Sequence, residues 1–486
     1  MEDRHIVSID IGSSKIALMV AHIDGNDIQV VYHKSLASKG VNCGGVINST
    51  RAREVISKLI KEAEQSIGAR ITQVIVGTPR YRIVECDASA QINRTNPSTG
   101  ISEEEFHSLK DIATTDCPVG DSNKESVYGC VHQSFSTDED IQMYDEDEIV
   151  GMMSETFCGN YKMYIGKKTL LENIDRIFSD LNILATRQFS PSVLGDVILS
   201  RDEKESGVAL IDMGANVTSV SIYTGGVLRH HASIPFGGHS ITNDIHIESG
   251  FSEKLSENIK LAYGCCTPER LAHLSDKIIR VTYPESGNYR DIKVESLAQI
   301  IKAREKEIID AMLWEIESSG LADELRSGIV LTGGAAEMSN ISILTTALSG
   351  YSVRIGYPRS NYNYSGYPSA NSAEAATCVG LIMSVKSNKS INCTGDVIHE
   401  GGDPETGTIF GPKNGGENTT KDNGGTQEKV NDTSKHTKEP KRQKSNQIIW
   451  RLTGFGQKVM DTLNNVDEKV GKLFDDQEEE DGQGLL

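Results

Sequence analysis

The segment His5-Ile-Val-Ser-Ile-Asp10-Ile-Gly12-Ser13-Ser14-Lys15 is an apolar strand running into a glycine turn, and the chain repeats it far downstream. After the turn come a second strand, Ile16-Ala-Leu-Met-Val, an Asp24-Gly turn and a third strand, Ile28-Gln-Val-Val-Tyr. Gly207-Val-Ala-Leu-Ile-Asp212-Met-Gly214-Ala215-Asn216 opens the second copy. It continues through Val217-Thr-Ser-Val-Ser-Ile-Tyr, a Thr224-Gly-Gly turn and Val227-Leu-Arg-His. Each copy reads strand, Asp-x-Gly turn, strand, turn, strand, with glycine where hairpins require it. The duplication predicts two similar α/β halves facing each other across a cleft.

Gly12 lets the backbone approach a ligand closely, so amides and the hydroxyls of Ser13 and Ser14 can surround phosphate oxygens. Lys15 adds a point charge, and Asp10 can hold Mg²⁺ through its waters. The second turn offers Asp212, Gly214, Ala215 and Asn216 from the opposite side, with Asp212 the matching metal-facing carboxylate. One Asp-x-Gly turn is an ordinary hairpin; two from opposing halves can grip one triphosphate. Ile329-Val-Leu-Thr-Gly333-Gly334-Ala335-Ala336 is an apolar strand entering a glycine turn before a helix, which suits an adenosine and its phosphates. Glu257-x-x-Lys260 puts two polar ends on one helical face. They can bond an adenine edge and ribose hydroxyls, or simply pair at the surface.

The order and spacing of these pieces resemble the actin/Hsp70 superfamily, which carries two phosphate loops and an adenosine loop in this sequence. Further segments are similar to the FtsA family in particular. Val74-Ile-Val-Gly77 precedes the region where that family has its extra subdomain. Ile234-Pro-Phe-Gly237-Gly238-His-Ser-Ile-Thr242-Asn-Asp244-Ile, Glu257-Asn-Ile-Lys260-Leu-Ala-Tyr-Gly264, Gly356-Tyr-Pro and Ala373-Glu-Ala-Ala-Thr-Cys-Val-Gly380-Leu resemble its further motifs. The resemblance runs through residues 5–385 and the C-terminal helix. It implies a duplicated, two-lobed α/β fold of actin and ribonuclease H type with an inserted α+β subdomain. It also implies ATP and Mg²⁺ as cofactors, self-assembly into filaments, and capture of the C-terminal peptide of the tubulin-like division protein FtsZ. In the family that peptide docks on a helix with an x-x-R-x-x-E pattern. Ala303-Arg304-Glu305-Lys306-Glu307 matches it, which marks Arg304 as a partner contact, or as a solvated helix charge.

Two departures bear on catalysis. FtsA-like sequences usually read E-P-L-A-S-A where actin-type ATPases keep the acid that positions water; here the chain reads Phe189-Ser190-Pro191-Ser192-Val193. The second loop, often G-G-G-T-T-D, becomes Gly214-Ala-Asn-Val-Thr-Ser219. Backbone binding tolerates such changes better than water activation does. Tight ATP binding with slow or negligible hydrolysis is expected, with no catalytic residue assigned.

Composition limits the alternatives. With 486 residues, two or more domains are expected. A net charge of -20 repels phosphate backbones and argues against nucleic acid as a partner. Nine scattered cysteines without a CxxC pair argue against disulfides or zinc and suit a reducing compartment. No signal peptide and no run of apolar residues long enough to span a bilayer is expected.

The periodicity places helices over 50–67, 169–184 and 292–321, and a short one over 102–113. The first lobe is assigned to 1–83 with 162–200 and 366–386, the inserted subdomain to 84–161, and the second lobe to 201–365, with its peptide-binding part near 237–319. Residues 387–445 read as a disordered linker poor in apolar side chains. An amphipathic helix follows at 446–474 and an acidic tail at 475–486. In that helix Ile448, Leu452, Phe455, Val459, Leu463, Val466, Val470 and Leu473 fall within about 80° of arc at ~100° per residue. Trp450, Arg451 and Lys458 flank the stripe in a basic first half, suiting an anionic membrane surface. The alternative is a helix that packs on a partner or forms a short coiled coil.

These readings combine into an actin-like adaptor at the division septum, on the cytoplasmic side of the inner membrane, that tethers FtsZ filaments and meets other division proteins. The rivals are a type IV pilus-assembly adaptor and an actin-fold kinase or phosphatase. An Hsp70-type chaperone would need a substrate-binding β domain that 387–486 cannot build.

Overall fold

The chain opens with three antiparallel strands, β1 (Arg4–Ile11), β2 (Lys15–Asp24) and β3 (Asp27–Ala37), followed by α1 (Ser49–Ile67) and β4 (Gln73–Gly77). Strands β5 (Val84–Asn93), β6 (Glu125–Ser136) and β7 (Thr156–Lys167), with helix α2 (Glu103–Thr115), come next. Helix α3 (Lys168–Asp180), strand β8 (Leu184–Gln188) and helix α4 (Ser190–Ile198) lead to the second copy. That copy comprises β9 (Val208–Met213), β10 (Thr218–Thr224), β11 (Val227–Ile234), α5 (Gly238–Ser249), α6 (Glu253–Tyr263), α7 (Val294–Ser318) and β12 (Ile329–Thr332). Helix α8 (Ile341–Ser349) and strand β13 (Val353–Ile355) close it, and helix α9 (Ala376–Val385) returns to pack on β1 and α4. This computed structural model describes residues 4–397, except 26, 118, 139–141, 145, 275–276, 283–288 and 360–361. The expected helix at 446–474, the acidic tail and most of the expected linker lie outside the described residues.

The two copies build sheets of the same topology. The first runs β8-β4-β1-β2-β3 and the second β13-β12-β9-β10-β11. In both, the central strand pairs antiparallel with its hairpin neighbour and parallel with the strand that returns by a crossover, Ile9 lying beside Val76 and Ile211 beside Leu331. These central strands are buried and read as largely apolar runs (Ile6, Val7 and Ile9, with buried Ser8 among them; Ala209, Leu210 and Ile211) because both faces are covered.

Among the described residues, helices lie at or near the positions that periodicity predicts, with two differences: the one expected over 292–321 spans Val294–Ser318, since Tyr289–Lys293 is a strand, and a second ends early. The pattern over 169–184 stops at Asp180, since Asn182 takes φ 55 and Leu184 already starts a strand. Helix α1 is held at its start by Asn48, whose side chain accepts from the Arg51 amide at 3.0 Å, and stopped by Gly68 at φ 68. Helices α4 and α9 cross where Gly380 leaves room for Val193; a Cβ there would lie 2.7 Å from the valine methyl. Residues 84–167 form a separate four-stranded sheet, Gln142–Met143 beside β6, then β7, then β5. Its core holds Phe106 edge-on to Phe135 and Phe157, at centroid distances of 5.0 and 4.8 Å.

The expected linker boundary is corrected. The folded body continues through Val397, because Thr394–Val397 pairs with Ala69–Ile71 and the Cys393 amide donates to the His5 carbonyl at 2.8 Å. Arg4 fixes this stretch from below, donating to the carbonyls of Lys386, Asn388 (2.5 Å) and Ile391 (3.1 Å). Composition hid the seam because backbone groups and one arginine make it, with few apolar side chains.

Candidate nucleotide cleft

Both Asp-x-Gly turns lie at the carboxyl ends of their central strands, where open α/β sheets place ligands. The two turns are built alike. The Gly12 amide donates to the Lys15 carbonyl at 3.0 Å, and the Gly214 amide donates to Val217 at 2.9 Å. A Cβ at either glycine would stand 2.8 Å from that same carbonyl oxygen. Both positions are therefore closed to larger residues by backbone, for the same reason.

The second turn is braced by Gly237 and Gly238. The Gly238 amide donates to Gly214 at 3.0 Å and the His239 amide to Ala215 at 2.8 Å, while a Cβ on Gly237 would come within 2.3 Å of the Gly214 oxygen. Gly333, at φ 86, passes so close to the second strand that a Cβ would meet Asp212 Oδ1 at 2.5 Å. Gly334 is exposed beside it, and Ala335 sits against Gly238. The structure thus brings Asp212, Gly214, Gly237, Gly333 and Ala335 together.

A hairpin that sequence reasoning missed joins the two turns. Ser13 Oγ accepts from the Gly44 amide at 2.8 Å, and Asn216 Nδ2 donates to Asn42 Oδ1 at 3.2 Å. Ser14 stays exposed, and its carbonyl accepts from the Ser38 amide at 2.9 Å. Lys15 pairs with Glu374, and burial holds its ammonium below the usual lysine value.

Lys260, expected to face an adenosine, instead faces inward. Its ammonium reaches the Gly238 carbonyl at 2.8 Å, Thr242 Oγ1 at 2.9 Å and Glu257 Oε2 at 2.8 Å. Those contacts use all three of its hydrogens. Lys260 therefore clasps the first turn of α5, leaving Glu257 as the partly exposed member of the pair. Ser190 is buried too. Arg304 grips Asp244 with two nitrogens, Nε at 2.6 Å and Nη2 at 2.9 Å, and Glu307 at 2.7 Å. The neighbouring groove of about 510 Å³ is lined by Pro268, Glu269, Glu295, Gln299, Lys302, Ala303 and Lys306.

The largest omission from the sequence reading is Arg80. Its Nη1 bonds Asp212 Oδ2, its Nη2 lies 3.6 Å from Asp10 Oδ1, and Nη2 donates to Thr377 Oγ1 at 2.7 Å. One guanidinium therefore spans both copies of the motif. Burial pushes the Asp10 carboxyl up from its ordinary value; Arg80 pulls it down, and Asp212 adds to the rise. His231 lies beneath, with Nε2 3.4 Å from the Arg80 carbonyl oxygen, and burial holds its ring at about 4. A signal for Arg80 did exist: it follows Gly77 at the carboxyl end of β4, on the cleft side of a parallel strand.

A profile of the family described as Cell division protein FtsA matches residues 209–380. The FtsA of Bacillus subtilis (strain 168) is 27% identical over 378 residues, covering 78% of this chain and 82% of that protein. The FtsA of Neisseria meningitidis (serogroup B, strain MC58) is 26% identical over 363 residues, covering 74% and 85%. The chain is similar to FtsA proteins over about three quarters of its length. Among solved structures, the PilM-PilN type IV pilus biogenesis complex is similar with a TM-score of 0.50 at 11% identity, covering 78% of this chain and 98% of that one. This last likeness concerns the fold alone, which is actin-like. Among the described residues no helix is long and apolar enough to cross a membrane, and no group of three or more His, Cys, Asp or Glu side chains is placed to hold a metal ion.

Proposed function

We propose that this chain is an ATP-binding, actin-like cell-division protein that assembles with copies of itself and ties FtsZ filaments to the membrane at the septum. The observation that carries the nucleotide part is the pair of matched turns at Gly12 and Gly214, each closed to a Cβ by its own backbone and joined through the Asn42–Gly44 hairpin. Such turns present amide N–H groups to phosphate oxygens without rearrangement. The division role is supported by relatives named for cell division over most of their length. The second lobe carries the groove along α7, whose rim mixes Lys302 and Lys306 with Glu269 and Glu295, and it offers a peptide tail such as that of FtsZ a place to dock. Membrane attachment rests on the apolar stripe from Ile448 to Leu473 and its basic flank.

Co-sedimentation tests the proposal. The full chain and a chain ending at Asn446 are each mixed with anionic vesicles, ATP and FtsZ filaments. FtsZ pelleting with vesicles only through the full chain is the expected result. Equal pelleting by both chains overturns the tether.

A further inference from the structure

The Asp10 and Asp212 pair does not fit a divalent cation as it stands. Mg²⁺ needs near-octahedral room for its waters beside the carboxylates. The Arg80 guanidinium already lies on Asp212, reaches toward Asp10, and is fixed by Thr377 at the start of α9. An arginine cannot be deprotonated in a protein, so an entering dication would meet a permanent positive charge. It would also have to strip a carboxylate from a partner in a mostly buried site, where leaving one charge unpaired is costly.

We infer that Arg80 takes the place of the divalent cation in this chain, so that a nucleotide polyphosphate is held by a built-in guanidinium between the two turns. The inference rests on the nucleotide reading above. A guanidinium carries five N–H donors in a planar fork suited to phosphate oxygens, more than Asp10, Asp212 and Thr377 use. It is supplied by the first copy and paired with the second, so it sits where a bridging ion would act. The carboxylates then serve to aim the arginine.

Isothermal titration of ATP into the full chain, in excess Mg²⁺ and in excess EDTA, decides between the two cations. The wild type is expected to change Kd by no more than ~3-fold between the conditions, whereas Arg80→Gln should bind at least ~10-fold more weakly in EDTA and recover in Mg²⁺. A wild-type affinity that falls tenfold or more in EDTA overturns the inference. So does an Arg80→Gln chain that is as indifferent to Mg²⁺ as the wild type. Should that variant fail to fold, judged by its melting transition, the wild-type comparison alone decides. Absence of ATP binding in both conditions refutes the nucleotide reading itself, which is a separate result from binding that requires Mg²⁺.

Discussion

Ser190 donates its hydroxyl hydrogen to the Thr78 carbonyl at 2.7 Å, directly against Gly77, where an added Cβ would lie 2.3 Å from the serine oxygen. This side chain, which the sequence resemblance sets at the place of the actin-type ATPases' acid, is thus sealed into the join between β4 and α4. It can neither orient nor deprotonate a water in the cleft. ATP turnover by the full chain is expected to stay orders of magnitude below the ~1 per second of an active phosphotransferase. Phosphate release measured under saturating ATP checks this. Ser190→Ala should leave that turnover unchanged and cost about 1–2 kcal/mol of stability, because the Thr78 carbonyl loses its donor.

The matched glycines predict matched effects. Gly12→Ala and Gly214→Ala each drive a methyl against a backbone oxygen that cannot step aside. Each should weaken ATP binding by about 10-fold or more, roughly 1.4 kcal/mol. Calorimetry on the two variants measures it; an unaltered affinity in either would show that its turn does not touch the ligand.

Glu305 is fully buried on α7, and neither carboxylate oxygen has a hydrogen-bond partner among the described residues. Burial pushes its carboxyl up to about 8, with Lys260 pulling weakly the other way. The native state keeps this proton where the unfolded chain has lost it, so the folded protein binds more protons than the unfolded one between about 4.5 and 8. Stability should therefore fall as pH rises through that window. Glu305→Gln removes this contribution, and its advantage over wild type should grow by on the order of 1–3 kcal/mol between pH 5 and pH 8.5. Denaturant melts at the two pH values test the sign.

Arg4→Ala should release the seam at 386–397 without unfolding either sheet. Three carbonyls lose their donor, at a cost of about 1–3 kcal/mol. Cys393, fully buried in the wild type, should become open to thiol reagents. Unchanged labelling would show that strand pairing with Ala69–Ile71 suffices alone.

The duplicated turns were legible in the sequence because their chemistry is local. Asp, Gly and the flanking strands lie within a dozen residues, and the apolar runs on either side set their own hydrogen-bonding partners. The contacts that give the cleft its charge were not legible. Arg80 meets Asp212, and Lys15 meets Glu374, only once two sheets and a closing helix have docked. Lys260 misled for a related reason. Its spacing from Glu257 correctly placed both on one face of α6, but periodicity cannot tell which ends point at α5 and which at solvent. The seam after Lys386 was misread because composition counts side chains, whereas that stretch is held by its backbone.

That seam also sets how the body would respond to pulling. The chain leaves the described body by a short strand lying beside Ala69–Ile71, locked to β1 through the Cys393 amide and Arg4. A load carried along the segment beyond Val397 would enter the first lobe there and bypass the groove beside Lys302. Hydrogen bonds between paired strands resist sliding together but yield one at a time when peeled. The mechanical strength of any attachment through this segment is therefore set by the angle of the force and by one arginine, and not by the length of chain that follows.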